Sequence, residues 1–574
     1  MKKVKSKVLT PITTITNLKK LLPYGMSDFK DVVSKYYYID KSQFIPILEQ
    51  AGNFLYLIRP RRFGKSLFLN MLDFYYNVNY ENEFELFKGL YIYDNPTSEK
   101  NSYHILKFDF SAVSTIGNVD EKFSEYCNSQ IIKFINSYNL NFNLDRNKPA
   151  HTNMNDLFIT LKENYPDIKI YILIDEYDNF INNLLMNDKT LYEKMVSSQE
   201  AIYKEFFKLL KALTNENDSL LKKMFFTGVS PLALFDVTSG SNIGKNITND
   251  YVFNDIVGIT KEEFRELREY YELDFSDEKI QSLNNWYNHY KFNEDVDYTI
   301  YNTDMILYYI DKLKLNGREP KEMVDINVRT DYRKLKYLVH TNNKLNGNFN
   351  ALKTLFTQNY IEVDSIKDSF SAFELTKKEN FISLLYYLGL ITIKELKYGE
   401  IVLTIPNQTI KQIMAEFINR MLEETKTFEI DLTEFSKKMR NLAYKNSLEV
   451  FSYLAEKLKE NTSIRDLVAQ ESDIKMFYMT YFSLNRLYAP ISELELNQGY
   501  ADIFLVKSPN ITDEIPNILI EFKFLKKNDN SDIDKIITQA KKQIQNYQNS
   551  KKFRIDKKII VIFKGFDLVF CEEV

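Results

Sequence analysis

FLYLIRPRRFGKSLFLNML, residues 54–72, decides how the first half of the chain is read. FLYLIRP (54–60) is an apolar run ending at a proline, which suits a strand buried on both faces. SLFLNMLDFYYN (66–77) repeats its apolar residues at helical spacing. The junction between them is Arg59-Pro60-Arg61-Arg62-Phe63-Gly64-Lys65-Ser66. It ends in the second half of the phosphate-binding pattern GxxxxGK(S/T), while Arg59 stands where the first glycine belongs. A strand-to-helix turn of this kind presents backbone N–H groups to an anion. Gly64, Lys65 and Ser66 then form a phosphate cradle in which Lys65 reaches the β- and γ-phosphates of ATP and Ser66 holds Mg²⁺. Arg61 and Arg62 either add charge beside the phosphates or are solvated loop residues.

About 110 residues downstream, YILIDEYDNF (171–180) runs four apolar residues into Asp175-Glu176. An acid pair delivered by a buried strand is what hydrolysis of a phosphoanhydride needs. Asp175 holds Mg²⁺, usually through water, and Glu176 polarises the attacking water. In FFTGVS, Thr227 and Ser230 follow the next apolar strand, where a polar sensor of the γ-phosphate would lie; a simple strand-end turn accounts for them equally well.

Further strands are expected at ILKFDF (105–110), DIKIYILIDEYD (167–178) and KKMFFTGVS (222–230), with helical stretches between them. That alternation predicts a mainly parallel sheet with helices on both faces. From TKEEFRELREYY (260–271) the pattern is helical, and Thr260 with Glu263 forms a capping box. A long helical region near 352–425 carries a hairpin, ITIKEL and EIVLTI about a KYG turn, which suggests a winged-helix-like unit. Helices continue to about 490, followed by strands at 490–496, 500–506 and 517–524, a helix at 531–548 and a strand at 558–564. The expected division is a polar lead (1–22), a P-loop domain (23–258), a helical lid-like region (259–345), a winged-helix-like region (346–430), and a helical lead with a C-terminal α/β domain (431–574).

That last domain carries a second constellation. In GYADIFLVKS (499–508) and ILIEFKFLKK (518–527), Asp502 and Glu521 lie nineteen residues apart, and Lys523 follows Glu521 with one residue between. Strand alternation puts Glu521 and Lys523 on one face. Carboxylates on neighbouring strands can hold Mg²⁺, or Mn²⁺ in its place, which neutralises phosphate charge and makes a hydroxide nucleophile from water. Lys523 would orient that nucleophile or stabilise the pentavalent phosphorus. The plain alternative is an edge strand with a solvated charged face. Against it, an acid and a lysine inside the apolar ILIEFKF need a reason. In the following helix Gln543 and Tyr547 stand at i and i+4, with Lys541 and Lys542 near that face as phosphate contacts. Glu471 reads as an exposed helix-start carboxylate rather than as an extra metal-shell acid.

Bulk properties narrow the classes. At 574 residues the chain should hold three or four domains. A net charge of −4 means that any nucleic acid must meet a local basic patch. Two distant cysteines, Cys127 and Cys571, exclude a disulfide framework and fit a reducing compartment, so a cytoplasmic location is expected. Four scattered histidines do not supply a zinc site of the usual spacing. The basic N-terminus lacks the apolar core of a signal peptide or anchor, and FISLLYYLGLITI (381–393) is too short to span a bilayer and reads as a buried helix turning into a strand.

Together these residues resemble bacterial AAA-ATPase-like proteins that carry a C-terminal PD-(D/E)XK nuclease domain. The likeness is carried by YGMSDFKDVVSKYYYIDKSQFI (24–45), LIRPRRFGKSLFLNML (57–72), YILIDEYD (171–178), FFTGVSPLAL (225–234) and GITKEEF (258–264), and at the far end by Gly499-Tyr500-Ala501-Asp502 and IEFK. The absent first glycine is normal for that family. The resemblance implies nucleotide residues Lys65, Ser66, Asp175 and Glu176, and nuclease residues Asp502, Glu521 and Lys523 supported by Gln543 and Tyr547. Two departures stand out: Tyr500 replaces an arginine, and His289 replaces a glycine in Tyr287-Asn288-His289-Tyr290-Lys291-Phe292. The fold implied is a P-loop NTPase, a helical and winged-helix-like middle, and a restriction-endonuclease-like α/β domain. The function these residues favour is an ATP-regulated, Mg²⁺-dependent nuclease, with nucleic acid as partner, DNA ahead of RNA, no membrane association, and a homo-oligomer left open. The alternative is a nucleotide-switched binding or scaffold protein whose nuclease fold grips nucleic acid or a partner without cutting.

Overall fold

The structure, a computed structural model, describes residues 19–187, 189–197, 201–216, 218–232, 243–331, 340–341, 344–345, 348–424, 430–460, 471–496, 499–547 and 554–574. Most of the lead expected at 1–22, and the last residue of the helix expected at 531–548, lie outside the described residues.

Five strands come first: β1 (Phe54–Ile58), β2 (His104–Asp109), β3 (Ile170–Asp175), β4 (Leu221–Gly228) and β5 (Lys245–Asn246). They form one sheet in the order β2-β3-β4-β1-β5, parallel throughout. β3 is buried along its whole length, as a strand covered by helices on both faces must be. β5 was not expected; it is two residues long, too short to show a period, and pairs only with Leu55 and Tyr56. The order matters for chemistry. β4 lies between β1 and β3, so the end of β4 sits between the loop after β1 and the acids after β3.

The Thr260–Glu263 capping box is present in full at the start of the helix Lys261–Tyr270. Helices Asp277–Tyr287 and Thr303–Asn316 follow, then the two-residue strands β6 (His340–Thr341) and β7 (Lys344–Leu345). The next unit comprises the helix Asn348–Gln358, β8 (Ile361–Val363), the helix Lys378–Tyr387, β9 (Thr392–Lys397), β10 (Glu400–Thr404) and the helix Gln408–Glu424. β9 and β10 form the expected antiparallel hairpin, and β8 adds to β10 to complete a three-stranded sheet. FISLLYYLGLITI runs from that middle helix into β9 and is buried nearly throughout. Among the described residues no helix is long and apolar enough to cross a membrane.

The last unit opens with the helix Glu471–Ser483. Its sheet has the order β11 (Tyr488–Leu496), β12 (Gly499–Lys507), β13 (Ile518–Leu525), β14 (Lys557–Lys564) and β15 (Asp567–Glu573). Only β13 and β14 pair in parallel, with the helix Ile533–Asn546 as their crossover. β15 was not expected: it is a half-exposed edge strand without a clear apolar face. Ile518, Ile520 and Phe522 of β13 belong to a core that continues back into the first domain, whereas Leu519 and Leu525 pack with Ala540 and Ile544 of the crossover helix. Glu521 and Lys523 share the parity of Leu519 and Leu525, so they lie on the crossover-helix face.

Candidate active sites

The loop after β1 borders a cavity of about 500 Å³ lined by Arg61, Arg62, Gly64, Lys65, Ser66 and Glu176, with Tyr37, Val257 and Leu307 among its apolar walls. Gly64 sits at φ 99° and opens the helix Lys65–Tyr76. The carbonyls of the loop are taken up by the protein: Asn302 Nδ2 donates to Arg61, the Asp304 N–H to Arg62, and Thr303 Oγ1 and the Gly258 N–H to Phe63. A phosphate-binding loop presents N–H groups to the anion, and here the loop's carbonyls face the protein. Lys65 is buried and its ammonium donates to the carbonyls of Arg59 and Pro60, both at 3.0 Å. Burial lowers its pKa, against the pull of Glu176, Asp175 and Asp178.

Arg59 explains the missing glycine. Its side chain is fully buried, donating to the carbonyls of Ile58, Thr248 and Phe253, and its guanidinium lies 4.0 Å from the Phe292 ring centre. The residue therefore points into the core, away from the phosphate cradle, and ties the loop to segments some 190 to 230 residues downstream. Burial pushes its pKa down to about 10.

Asp175 is buried at the end of β3; its Oδ1 accepts Thr227 Oγ1 at 2.5 Å and the Glu176 N–H at 3.0 Å. Glu176 adopts φ 48° and accepts a hydrogen bond from Asn179. Of the two sensor candidates, Thr227 is joined to the acid pair and Ser230 Oγ accepts the Leu232 N–H; neither lines the cavity. Ser230 is buried because Asp178, two residues beyond Glu176, accepts the N–H groups of Val229 and Ser230. The backbone packs so tightly there that a Cβ on Gly228 would fall 2.2 Å from the Tyr177 ring. Burial raises the Asp178 carboxyl to about 6.

The second constellation also converges. Pairing between β12 and β13 ends at Ile503–Ile520, and beyond it Asp502 Oδ2 accepts the Phe522 N–H at 2.8 Å. Lys523 Nζ lies 2.7 Å from Glu521 Oε1, while Glu521 Oε2 is buried without a hydrogen-bond partner. Burial and then the Asp502 charge raise the Glu521 carboxyl well above the ordinary carboxylate range. Burial alone would lower Lys523, but Glu521, Asp502 and Glu471 more than reverse this, so its ammonium is held charged. Gln543 Nε2 donates to Tyr547 Oη at 2.9 Å, and that hydroxyl donates to the Tyr500 carbonyl.

Three details correct the sequence reading. Glu471 is not an exposed helix-start acid: it is half-buried, and burial followed by the Asp502 charge raises its pKa. Lys475, one turn further on, was missed and pairs with Asp502 Oδ1 at 2.6 Å. Lys541 turns to β15 instead, 3.5 Å from Glu572. Lys475 had no local signal, and Glu471 read as a surface acid, because an acid and a lysine four apart on a helix are usually a surface pair. Among the described residues no group of three or more Asp, Glu, His or Cys side chains is placed to hold a metal ion. Two carboxylates, one with an unpartnered buried oxygen, nevertheless suit Mg²⁺, which keeps several waters and takes few protein ligands.

His289, the departure from glycine, has φ 75°, a backbone that glycine adopts without strain. The likeness to known proteins agrees with this geometry. Residues 23–238 match the family described as "Predicted AAA-ATPase", and residues 469–573 match the PD-(D/E)XK nuclease superfamily. An "Uncharacterized protein in vnfD 5'region" from Azotobacter chroococcum mcd 1 is 25% identical over 246 residues, 42% of this chain and 44% of that protein. The chain thus matches less than half the length of this relative. No solved structure matches.

Proposed function

We infer that this chain, which joins an AAA-ATPase-like domain to a PD-(D/E)XK nuclease domain, binds and hydrolyses ATP and cuts nucleic-acid phosphodiesters under nucleotide control. The observation that carries the nuclease half is the intact set of Asp502, Glu521 and Lys523, with Glu521 Oε2 buried and unpartnered beside them. Domains of these two kinds generally use nucleotide and divalent metals.

At the first site Gly64, Lys65 and Ser66 bind the phosphates, and Arg61 and Arg62 add charge on the same cavity wall. Asp175 and Ser66 are the residues to hold Mg²⁺. Glu176 orients and deprotonates the attacking water, and Thr227 fixes Asp175 from the neighbouring strand. At the second site Asp502 and Glu521 are the residues to hold Mg²⁺ or Mn²⁺, which supplies a metal-activated water and neutralises phosphate charge. Lys523 stabilises charge on the phosphate, and the Gln543–Tyr547 pair braces β12 through the Tyr500 carbonyl.

Contiguous packing supports nucleotide control. Pro60, in the phosphate loop, lies against Gly389, where a Cβ would come within 2.6 Å of the proline ring. Gly389 follows the helix Lys378–Tyr387, which packs on the helix Asn348–Gln358. That helix packs in turn on Glu471–Ser483, with Lys353 paired to Asp473. A rigid chain of this kind can bias a distant site when one end has two arrangements. Cytoplasmic action is part of the same proposal.

The test is cleavage of plasmid DNA and of RNA by the full chain with Mg²⁺ or Mn²⁺, with and without ATP, beside Asp502→Ala and Glu521→Ala. Metal-dependent cleavage should vanish in both variants, its rate in the wild type should respond to ATP, and DNA should be the better substrate. If the wild type cuts neither substrate in any state, the scaffold reading replaces this one.

A further inference from the structure

The nuclease centre holds a cation of its own. Lys475 is buried on the helix Glu471–Ser483, and its ammonium reaches two acids: Asp502 Oδ1 at 2.6 Å and the Glu493 carboxylate. With Asp502 Oδ2 on the Phe522 N–H and Oδ1 on Lys475, both oxygens of this carboxylate are engaged.

Glu493 lies across the strand pair from Asp502, between the Ser492–Ile503 and Leu494–Ala501 pairs. It has φ 49° inside a strand, a left-handed backbone that surrounding structure must enforce on a non-glycine residue. Unlike Asp502 it is not enclosed: it lines an open cleft of about 630 Å³ between the β8-β10-β9 sheet and β11–β12, and its side chain is 31% exposed. The ammonium is therefore shared between a buried acid inside the centre and a half-exposed acid at its rim.

We propose that Lys475 is the resident counter-cation of the nuclease centre: its ammonium occupies the Asp502 oxygen that a divalent metal needs, and metal binding shifts it onto Glu493. This rests on the metal-site reading of Asp502 and Glu521. Loading the centre is then an exchange of one cation for another, in which the lysine retreats from Asp502 while keeping an ion pair. Lys475 and Glu493 set metal affinity in opposite directions, because one competes with the metal and the other draws the competitor away.

The experiment titrates Mn²⁺ into the full chain without nucleotide, by calorimetry, with Asp502→Ala marking the heat that belongs to this site and thermal unfolding checking the fold. Lys475→Met should bind Mn²⁺ at least fivefold more tightly than wild type. Glu493→Gln should bind at least threefold more weakly, and should have no effect in the Lys475→Met background. A uniform loss of negative field would weaken binding in both backgrounds, and that result overturns the exchange. D502A-sensitive binding that Lys475→Met leaves unchanged or weakens also overturns it, while the metal site stands. If wild type shows no D502A-sensitive binding, the metal site itself fails and the inference with it. Should Lys475→Met not fold, Glu493→Gln decides, and wild-type affinity there refutes the transfer.

Discussion

Lys65 and Lys475 are both buried ammoniums at the mouth of a candidate phosphate-processing site, yet they rest on opposite kinds of partner. Lys65 donates to two neutral backbone carbonyls, whereas Lys475 is clamped between two carboxylates, and Lys523 beside it is paired with a third. On the function proposed above, the first site receives an anion. A lysine parked on carbonyls can leave them for phosphate at little cost, because a full charge is a better partner than a dipole. The second, on the same proposal, receives a cation. Its acids are crowded and desolvated, and without an ion they need counter-charges from the chain itself. On the reading proposed above, carbonyl oxygens meet the first lysine where phosphate oxygens would, and ammonium meets the second set of acids where a metal charge would.

Replacing each lysine tests that contrast, and the largest effect is expected at the nuclease site. Lys523→Ala should lower cleavage by about 10²–10³-fold, roughly 2.7–4 kcal/mol of transition-state stabilisation, while D502A-sensitive Mn²⁺ binding survives. Equal loss of both would make Lys523 a mere counter-ion. Next comes the anchor of the phosphate loop. Arg59→Gly brings the loop closer to the general GxxxxGK(S/T) pattern, yet it should destabilise the protein by about 2–3 kcal/mol, because the Thr248 and Phe253 carbonyls lose their buried donor. Denaturant unfolding checks this, and a stabilised variant would show that the arginine is tolerated, not needed. Lys65→Ala should weaken ATP binding at least tenfold, about 1.4 kcal/mol, by calorimetry, and leave nucleotide-free cleavage unchanged.

The smallest effect is a pH slope. Asp178 has its folded pKa raised from 3.8 to about 6, mainly by burial. A carboxyl raised in the folded state favours folding while protonated, so its contribution is fully present below its unfolded value and is lost as pH rises through about 6. Asp178→Asn should flatten that part of the stability profile, measured by denaturant unfolding between pH 4 and about 7. A profile parallel to wild type would mean that Asp178 titrates alike folded and unfolded.

Much of the molecule was legible because its signals are local. A buried strand, a phosphate turn and an amphipathic helix lie within residues 54–77, and the backbone obeys them wherever they occur. Asp175-Glu176 at a strand end and the Glu521/Lys523 alternation are equally short-range patterns, and both lie where the strand reading put them. The misses have different causes. β5 and β15 are edge strands too short or too mixed in polarity to show a period. Ser230 is a different case: the sequence left a sensor and a plain strand-end turn equally open, and the structure adds that Asp178 accepts its N–H while its hydroxyl accepts the Leu232 N–H.

By itself, then, the sequence determined most of the strands and helices and which of them carry the two motif sets, because these follow from periodicity, turn chemistry and a few unlike residues in apolar runs. Tertiary structure alone decided which distant residues meet: that Thr227 bonds to Asp175, that Arg59 plugs the core beside Phe292, and that Lys475 bridges Asp502 and Glu493. The reason is physical. Charged side chains are plentiful in this chain, at 27% of residues, and any pair of them reads alike in one dimension. Only burial, by removing water, turns one such pair into a strong and specific contact.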